Sequence, residues 1–261
     1  MGREVPLLTA TGRTIAEAWE KSVVTLWQRG AEVATEYDRP GDPPSRDCTM
    51  VIQVAEPLSE PRIHRSFPAQ LRDLEVYRRE VVEGIHDHRV RDGGWSYSYH
   101  QRLFDYDGTM EQMEAVLTKL AQHPHTRRAQ AITWLPERDL ESDEPPCLQR
   151  LWLRLLPTGA GYRLMMNAHW RSRDALKAAF MNMYALTELQ RHLAGRLAQM
   201  TGHLVQVGQY LDISDSYHIY GADFPDMERF LRSLARRSFQ ERTWTTAEAR
   251  RLCRTEGEEA T

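Results

Sequence analysis

Glu144-Pro145-Pro146-Cys147-Leu148-Gln149 runs directly into Leu151-Trp152-Leu153-Arg154-Leu155, and the fold reads outward from that junction. Leu151, Leu153 and Leu155 alternate with Trp152 and Arg154, the two-residue period of a strand with one buried face. Cys147 follows two prolines and precedes this apolar strand, so it is expected where a loop enters it. Thr158-Gly159-Ala160-Gly161 supplies a turn, and Tyr162 to Trp170 continues as a second strand, which predicts a hairpin. Asp174 then sits where it can cap a long helix striped with Leu186, Leu189, Leu193 and Leu197 and closed by Gly202.

Upstream, Thr14-Ile15-Ala16-Glu17 reads as a capping box opening a helix through Trp19, Val23 and Leu26 to Gly30. Tyr37 to Asp47 contains Arg39-Pro40-Gly41-Asp42-Pro43-Pro44 and reads as a loop. Thr49 to Val54 reads as a buried strand. A helix from about Ala69 to Glu83 carries Leu71, Leu74, Tyr77 and Val81 on one side, with Gly84 at its end. Thr109-Met110-Glu111-Gln112 is expected to cap a helix running to Gln122. Val205 to Ile213 reads as another strand, and Pro225 and Thr245-Thr246-Ala247-Glu248 open two short helices. Neither repeats nor a low-complexity linker divide the chain. The expectation is one mixed α/β domain over 1–261, with 249–261 as a partly disordered tail.

Composition narrows the function classes. A formal net charge of -3 gives no reason to expect nucleic acid or an anionic membrane as partner. No apolar run approaches the roughly 18 residues a membrane helix needs. The start Met1-Gly2-Arg3-Glu4-Val5-Pro6 lacks an apolar signal region, and Pro6 stands where a myristoylation signal needs Ser or Thr. Three separated cysteines make no disulfide framework. A cytoplasmic protein with reduced thiols is expected.

Several segments carry chemistry. Taken alone, Cys147 fits an inert buried cysteine. Arginines on either side change that reading, because a guanidinium favours the thiolate. A free cysteine is about 3% thiolate at pH 7, and lowering its pKa by about two units makes that roughly three quarters. Arg127-Arg128 and Arg171 suit a phosphate through paired, charge-assisted hydrogen bonds. Cys48 and Cys253 have no such company and read as structural. His86-Asp87-His88 has the look of a metal pair but lacks further ligands at metal-site spacing. The basic run Arg229 to Arg242 is interleaved with apolar residues and reads as an amphipathic helix.

In order and spacing these segments resemble the thymidylate synthase superfamily, whose members attach a one-carbon unit to C5 of a pyrimidine nucleotide. His123-Pro124-His125-Thr126-Arg127-Arg128, followed by Ala131-Ile132-Thr133-Trp134, is similar to the family's Pro-x-Ser-Arg-Arg segment and its strand ending in Trp. Arg171-Ser172-Arg173-Asp174 with Asn182, and His218-Ile219-Tyr220, match two further motifs. The resemblance implies a thymidylate synthase-like α+β fold, a mixed β-sheet packed with helices whose free face makes a homodimer with shared active sites. It implies Cys147 as the nucleophile adding to C6 of the base, Arg171 and Ser172 on the phosphate, and Arg127 and Arg128 reaching the partner's phosphate. Asn182 would read the pyrimidine edge, His218 and Tyr220 the sugar 3′-hydroxyl, and Asp174 the pterin of 5,10-methylenetetrahydrofolate. Tyr99, in Trp95-Ser96-Tyr97-Ser98-Tyr99-His100, carries over as an active-site tyrosine. A catalytic glutamate is expected on an earlier helix; Glu80 and Glu75 both qualify by position, and Glu80 is preferred. The phosphate arginine of the N-terminal loop is Arg39 or Arg46.

Three departures bear on the outcome. Leu148 replaces the His that follows the nucleophile in ordinary thymidylate synthases, Trp170 replaces their Gln, and a charged tail replaces their short apolar one. A poor water seal favours capture of the exocyclic methylene by water over hydride. The reading therefore leans to a hydroxymethylase resembling the cytidylate (CMP or dCMP) enzymes. Methylation of dUMP is the alternative, and a non-catalytic nucleotide-binding protein of the same fold the second. Asn182 suggests uracil by family habit, yet its amide can rotate to suit cytosine, so the base stays open.

Overall fold

The computed structural model describes residues 4–258. Chain order is β1 (Leu7–Gly12), α1 (Ile15–Arg29), β2 (Ala31–Val33), β3 (Ser45–Val54), β4 (Ile63–His64), α2 (Leu71–Glu83), α3 (Asp87–Arg91), α4 (Tyr99–Phe104), α5 (Gln112–Gln122) and β5 (Gln130–Ile132). It continues through α6 (Pro136–Asp139), β6 (Leu148–Thr158), β7 (Gly161–Asp174), α7 (Ala179–Thr201), β8 (Leu204–Ile219), α8 (Phe224–Arg236), β9 (Thr243–Trp244) and α9 (Thr246–Glu258). One mixed sheet runs β1-β3-β8-β7-β6-β5, with β2 also on β3. The β1–β3 and β7–β8 pairs are parallel. Parallel neighbours need a crossover, and α1 and α7 supply it.

Alternation along the strands sorts the sheet into two faces. Leu164, Met166, Ala168 and Trp170 of β7 are buried beneath the helices, as are Met50 and Ile52 of β3. Their neighbours Met165, Asn167 and His169, with Val51, Leu211, Ile213 and Trp152, lie on a face that no helix covers.

Local codes place most helices as the sequence reads them. Thr14 accepts from the Glu17 N–H at 3.3 Å and starts α1. Gly84 ends α2 at φ +64, where an added Cβ would stand 2.3 Å from His100 Nδ1. Glu248 and Thr245 exchange the two bonds of a capping box ahead of α9. Met227 and Phe230 bury one face of α8, the amphipathic helix expected in the basic run.

Elsewhere the structure corrects the reading. Thr109 does not cap α5; its hydroxyl donates to the Tyr106 carbonyl at 2.7 Å, and the helix starts after Glu111. Asp174 caps the turn ahead of α7, accepting from the N–H groups of Leu176 and Lys177 at 2.9 and 2.7 Å, and the helix opens at Ala179. The loop from Tyr37 ends at Pro44 rather than Asp47, because Ser45, Arg46 and Asp47 ladder onto β2 and the end of β8. β1 was not expected at all. The segment from 249, expected as a partly disordered tail, is helical through Glu258, and 259–261 lie outside the described residues.

Candidate active site

Cys147 enters β6 beside a bulge between Leu148 and Arg150. Three successive carbonyls before and at the cysteine accept from one residue. Arg171 donates from Nη2 to Pro145 O at 2.7 Å, from Nε to Pro146 O at 3.1 Å, and from its backbone N–H to Cys147 O at 2.9 Å. Prolines offer carbonyls but no N–H, so the Pro-Pro loop suits a single multidentate cation. Burial pushes the Cys147 thiol above its ordinary pKa, and Arg171 and Arg173 pull it only partly back. The free chain therefore holds a thiol rather than the thiolate that flanking arginines led one to expect. Arg173 is itself committed, buried in a two-pronged pair with Asp212 that also takes the Trp170 Nε1–H and Tyr210 O–H. Among the described residues Arg171 donates only to carbonyls and meets no counter-ion.

Tyrosines surround the sulfur. Tyr37, Tyr77, Tyr97, Tyr99 and Tyr220 all lie within its electrostatic range. Burial raises Tyr77, Tyr97 and Tyr99, so these hydroxyls stay neutral donors. Tyr99 packs edge-on against Trp170 with centroids 5.8 Å apart, and Tyr97 lies 5.5 Å from Tyr99. Asn182, in the first turn of α7, donates from Nδ2 to Tyr77 Oη at 2.6 Å.

The sugar-motif pair sits beyond. His218 and Tyr220 have ring centroids 4.6 Å apart, and Tyr220 meets Tyr37 edge-on at 6.0 Å. Gly221 is held under the 34–44 loop so closely that a Cβ would lie 1.7 Å from Pro43 O. Ser216 Oγ donates to Asp47 Oδ2 at 2.7 Å and stands 3.2 Å from His218 Nδ1. A hydroxyl has one proton; spent on Asp47, it leaves Ser216 to accept from Nδ1–H. His218 Nε2 then carries a lone pair, and it is buried without a partner among the described residues. Burial lowers the His218 pKa, with Asp47 opposing. Asp174 bears electrostatically on Tyr220. Burial lifts its carboxyl to about 6, with Asp223 adding and Lys177 opposing.

The structure thus gathers Cys147, Tyr99, Arg171, Asn182, Tyr220, His218 and Asp174, with Ser172 half-exposed beside Arg171. Glu80 stands 3.0 Å from His86 Nδ1 and bears electrostatically on Tyr77. Glu75 is taken by Arg78. One turn before Glu80 on the same helix, Tyr77 is the α2 group that meets Asn182. Arg127 and Arg128 do not approach the sulfur. Ala129 pairs with Leu153, six positions along β6 from Cys147, which at 3.3 Å per residue is about 20 Å. Both guanidiniums are exposed and unpartnered among the described residues, beside a recess of about 530 Å³ lined by residues 122–128. Between the two N-terminal arginines the fold distinguishes sharply. Arg46 pairs with Glu32 at 3.2 Å and donates to Gly30 O, whereas the Arg39 guanidinium has no partner among the described residues.

Tyr77, Tyr97, Asp47 and Ser216 were missed as site residues. Tyr77 was visible as part of an apolar stripe, and Tyr97 two residues before Tyr99. Asp47 has no local signal, since only the β3–β8 register sets it opposite His218.

Comparison with known proteins finds similarity over most of the chain. The family model described as thymidylate synthase matches residues 10–251. A Methanopyrus kandleri protein named "Putative thymidylate synthase" is 31% identical over 229 residues, covering 87% of this chain and 99% of its own. A protein of the same name from Methanococcoides burtonii is 27% identical over 222 residues, covering 85% and 94%. In fold, the chain is similar to thermostable thymidylate synthase A of Bacillus subtilis, with a TM-score of 0.61, 16% identity and 84% of each chain covered.

Proposed function

The chain belongs to the thymidylate synthase family, and we propose that it transfers a one-carbon unit to C5 of a pyrimidine nucleoside 5′-monophosphate through a Cys147–C6 adduct. The observation that carries this reading is the ring of polar groups about one half-buried thiol: Arg171 strapped to residues 145–147, Asn182 held by Tyr77, and His218 with an unpartnered Nε2.

In this reading Arg171, Ser172 and the free Arg39 take the phosphate dianion. Asn182 takes the base edge, and His218 with Tyr220 the sugar hydroxyl. Cys147 passes its proton to solvent, and the thiolate, favoured by Arg171, forms a bond to C6 while the C5–C6 π pair moves onto C5 and the carbonyl or imine at C4. C5 bonds the one-carbon unit and gives up its hydrogen as a proton, and addition of water to the resulting exocyclic methylene lets the sulfur leave C6 as thiolate and restores the ring. Bound 5,10-methylenetetrahydrofolate supplies the one-carbon unit. Asp174 suits its pterin, since Oδ1 is occupied by backbone N–H groups and Oδ2 has no hydrogen-bond partner among the described residues.

The lean is to the 5-hydroxymethyl product of CMP or dCMP, with methylation of dUMP as the alternative. The departures behind it are Leu148 and Trp170, which replace polar residues of methylating relatives and are 0% and 1% exposed. A homodimer with shared sites is supported by the uncovered sheet face and by the stranded Arg127–Arg128 pair. A non-catalytic nucleotide-binding protein remains the other reading of the same fold.

The test is release of tritium from [5-³H]CMP, dCMP, UMP and dUMP with methylenetetrahydrofolate, followed by product mass. A 5-hydroxymethyl nucleotide is expected. A methylated base with stoichiometric dihydrofolate defeats the lean, and no tritium release from any of the four defeats turnover.

A further inference from the structure

Resting on the nucleotide site just proposed, we infer that Tyr77 is a specificity-determining residue that makes the base subsite indifferent between cytosine and uracil. Asn182 is 8% exposed, and its only side-chain partner among the described residues is the Tyr77 hydroxyl, 2.6 Å from Nδ2. Its Oδ1 and the second N–H of Nδ2 are left to a ligand. An amide laid along the 3,4-edge of a pyrimidine must turn one way for uracil, accepting from N3–H and donating to O4. It must turn the other way for cytosine, accepting from the 4-amino group and donating to N3.

The protein group behind the amide decides whether both senses are open. A carboxylate only accepts, so it would hold Nδ2 towards itself and expel Oδ1. A tyrosine hydroxyl accepts from Nδ2 or donates to Oδ1 with equal ease. Burial keeps Tyr77 neutral, with the nearby Glu80 charge acting in the same sense, and Glu80 makes its hydrogen bond to His86 rather than to Tyr77. The amide can therefore rotate without losing its protein hydrogen bond.

Calorimetric titration of CMP and UMP into the folate-free protein tests this, because the two share sugar and phosphate. Wild type should bind them within about fivefold of each other, the scale of one neutral hydrogen bond. Tyr77→Phe should weaken both and leave the ratio within the same limit. Tyr77→Glu should lock the amide and change the ratio by about tenfold or more. A wild-type ratio beyond about thirtyfold overturns the inference while leaving the nucleotide site intact, as does a large ratio change in Tyr77→Phe. If neither nucleotide binds wild type, the site itself fails and this inference with it. The wild-type ratio decides even if a variant misfolds.

Discussion

The backbone N–H of Arg171 donates to the carbonyl of Cys147 at 2.9 Å, so the charge that faces the thiol is tied to it through the main chain. The same arginine's side chain closes on Pro145 and Pro146. Nucleophile and cation move as one unit, and what sets the sulfur's reactivity in the free protein is the contest between that charge and burial.

Burial wins that contest, which gives a pH prediction. A thiol raised above its ordinary value is less ionised at neutral pH than free cysteine, and thiolate appears only as pH climbs through the raised value. Alkylation of Cys147 by iodoacetamide should rise about tenfold per pH unit from 7 to 9, as the thiolate fraction does. Arg171→Ala should slow it further at each pH, and Arg171→Lys should fall between. A rate already flat across that range would show a thiolate preformed without ligand.

Arg127 and Arg128 lie too far from Cys147 to serve the same chain's site. Mixing Cys147→Ala with Arg127→Ala protein, each inactive alone, should restore about a quarter of wild-type activity if subunits exchange randomly in a two-fold dimer. Only the mixed dimer has one intact site. Absence of complementation, with mass measurements proving that mixed dimers form, would place both arginines outside catalysis.

Asp212 is the counter-ion on which the floor of the site depends. It takes two bonds from buried Arg173 and one each from Trp170 and Tyr210. Asp212→Asn strands a buried guanidinium and should cost about 3–5 kcal/mol in urea unfolding. A loss below about 1 kcal/mol would mean that Arg173 finds water instead.

Asp174 predicts a stability gain with a pH signature. Its folded pKa is raised to about 6 from an ordinary 3.8. The folded chain therefore takes up a proton before the unfolded chain does. Its stability contribution is complete below the unfolded value and lost as pH rises through about 6. Asp174→Asn keeps an oxygen for the Leu176 and Lys177 N–H groups and removes the buried charge. It should gain on the order of 2–3 kcal/mol at pH 8 and almost nothing at about pH 3. Equal effects at both pH values would show that burial of the charge is not the cause. Loss of folate affinity in the same variant is expected from the proposed pterin contact.

Sequence by itself determined what is written in neighbouring residues. Thr14 with Glu17, Gly84 after Glu83, and Thr245 with Glu248 satisfy orphan backbone groups within a few positions, so those helix ends were legible. So was the β6–β7 hairpin, set by alternation and a glycine turn. Leu7 to Gly12 was not, because two of its three inward residues, Ala10 and Gly12, are small and its pairing partner lies more than thirty residues away. The ordered motifs also named the thiol, Arg171, Asn182 and the His218–Tyr220 pair.

Tertiary structure decided which of two neighbours does the facing. Glu80 and Tyr77 differ by one turn, and only packing of α2 on α7 turns Tyr77 to Asn182 while His86 takes Glu80. Arg46 and Arg39 flank one loop, and only the β2–β3 ladder brings Glu32 to the first. Asp47 meets His218 because antiparallel register sets them opposite. Sulfur ionisation was misread for the same reason. Charge is visible in a sequence, but the burial that outweighs it is a property of everything packed around the atom.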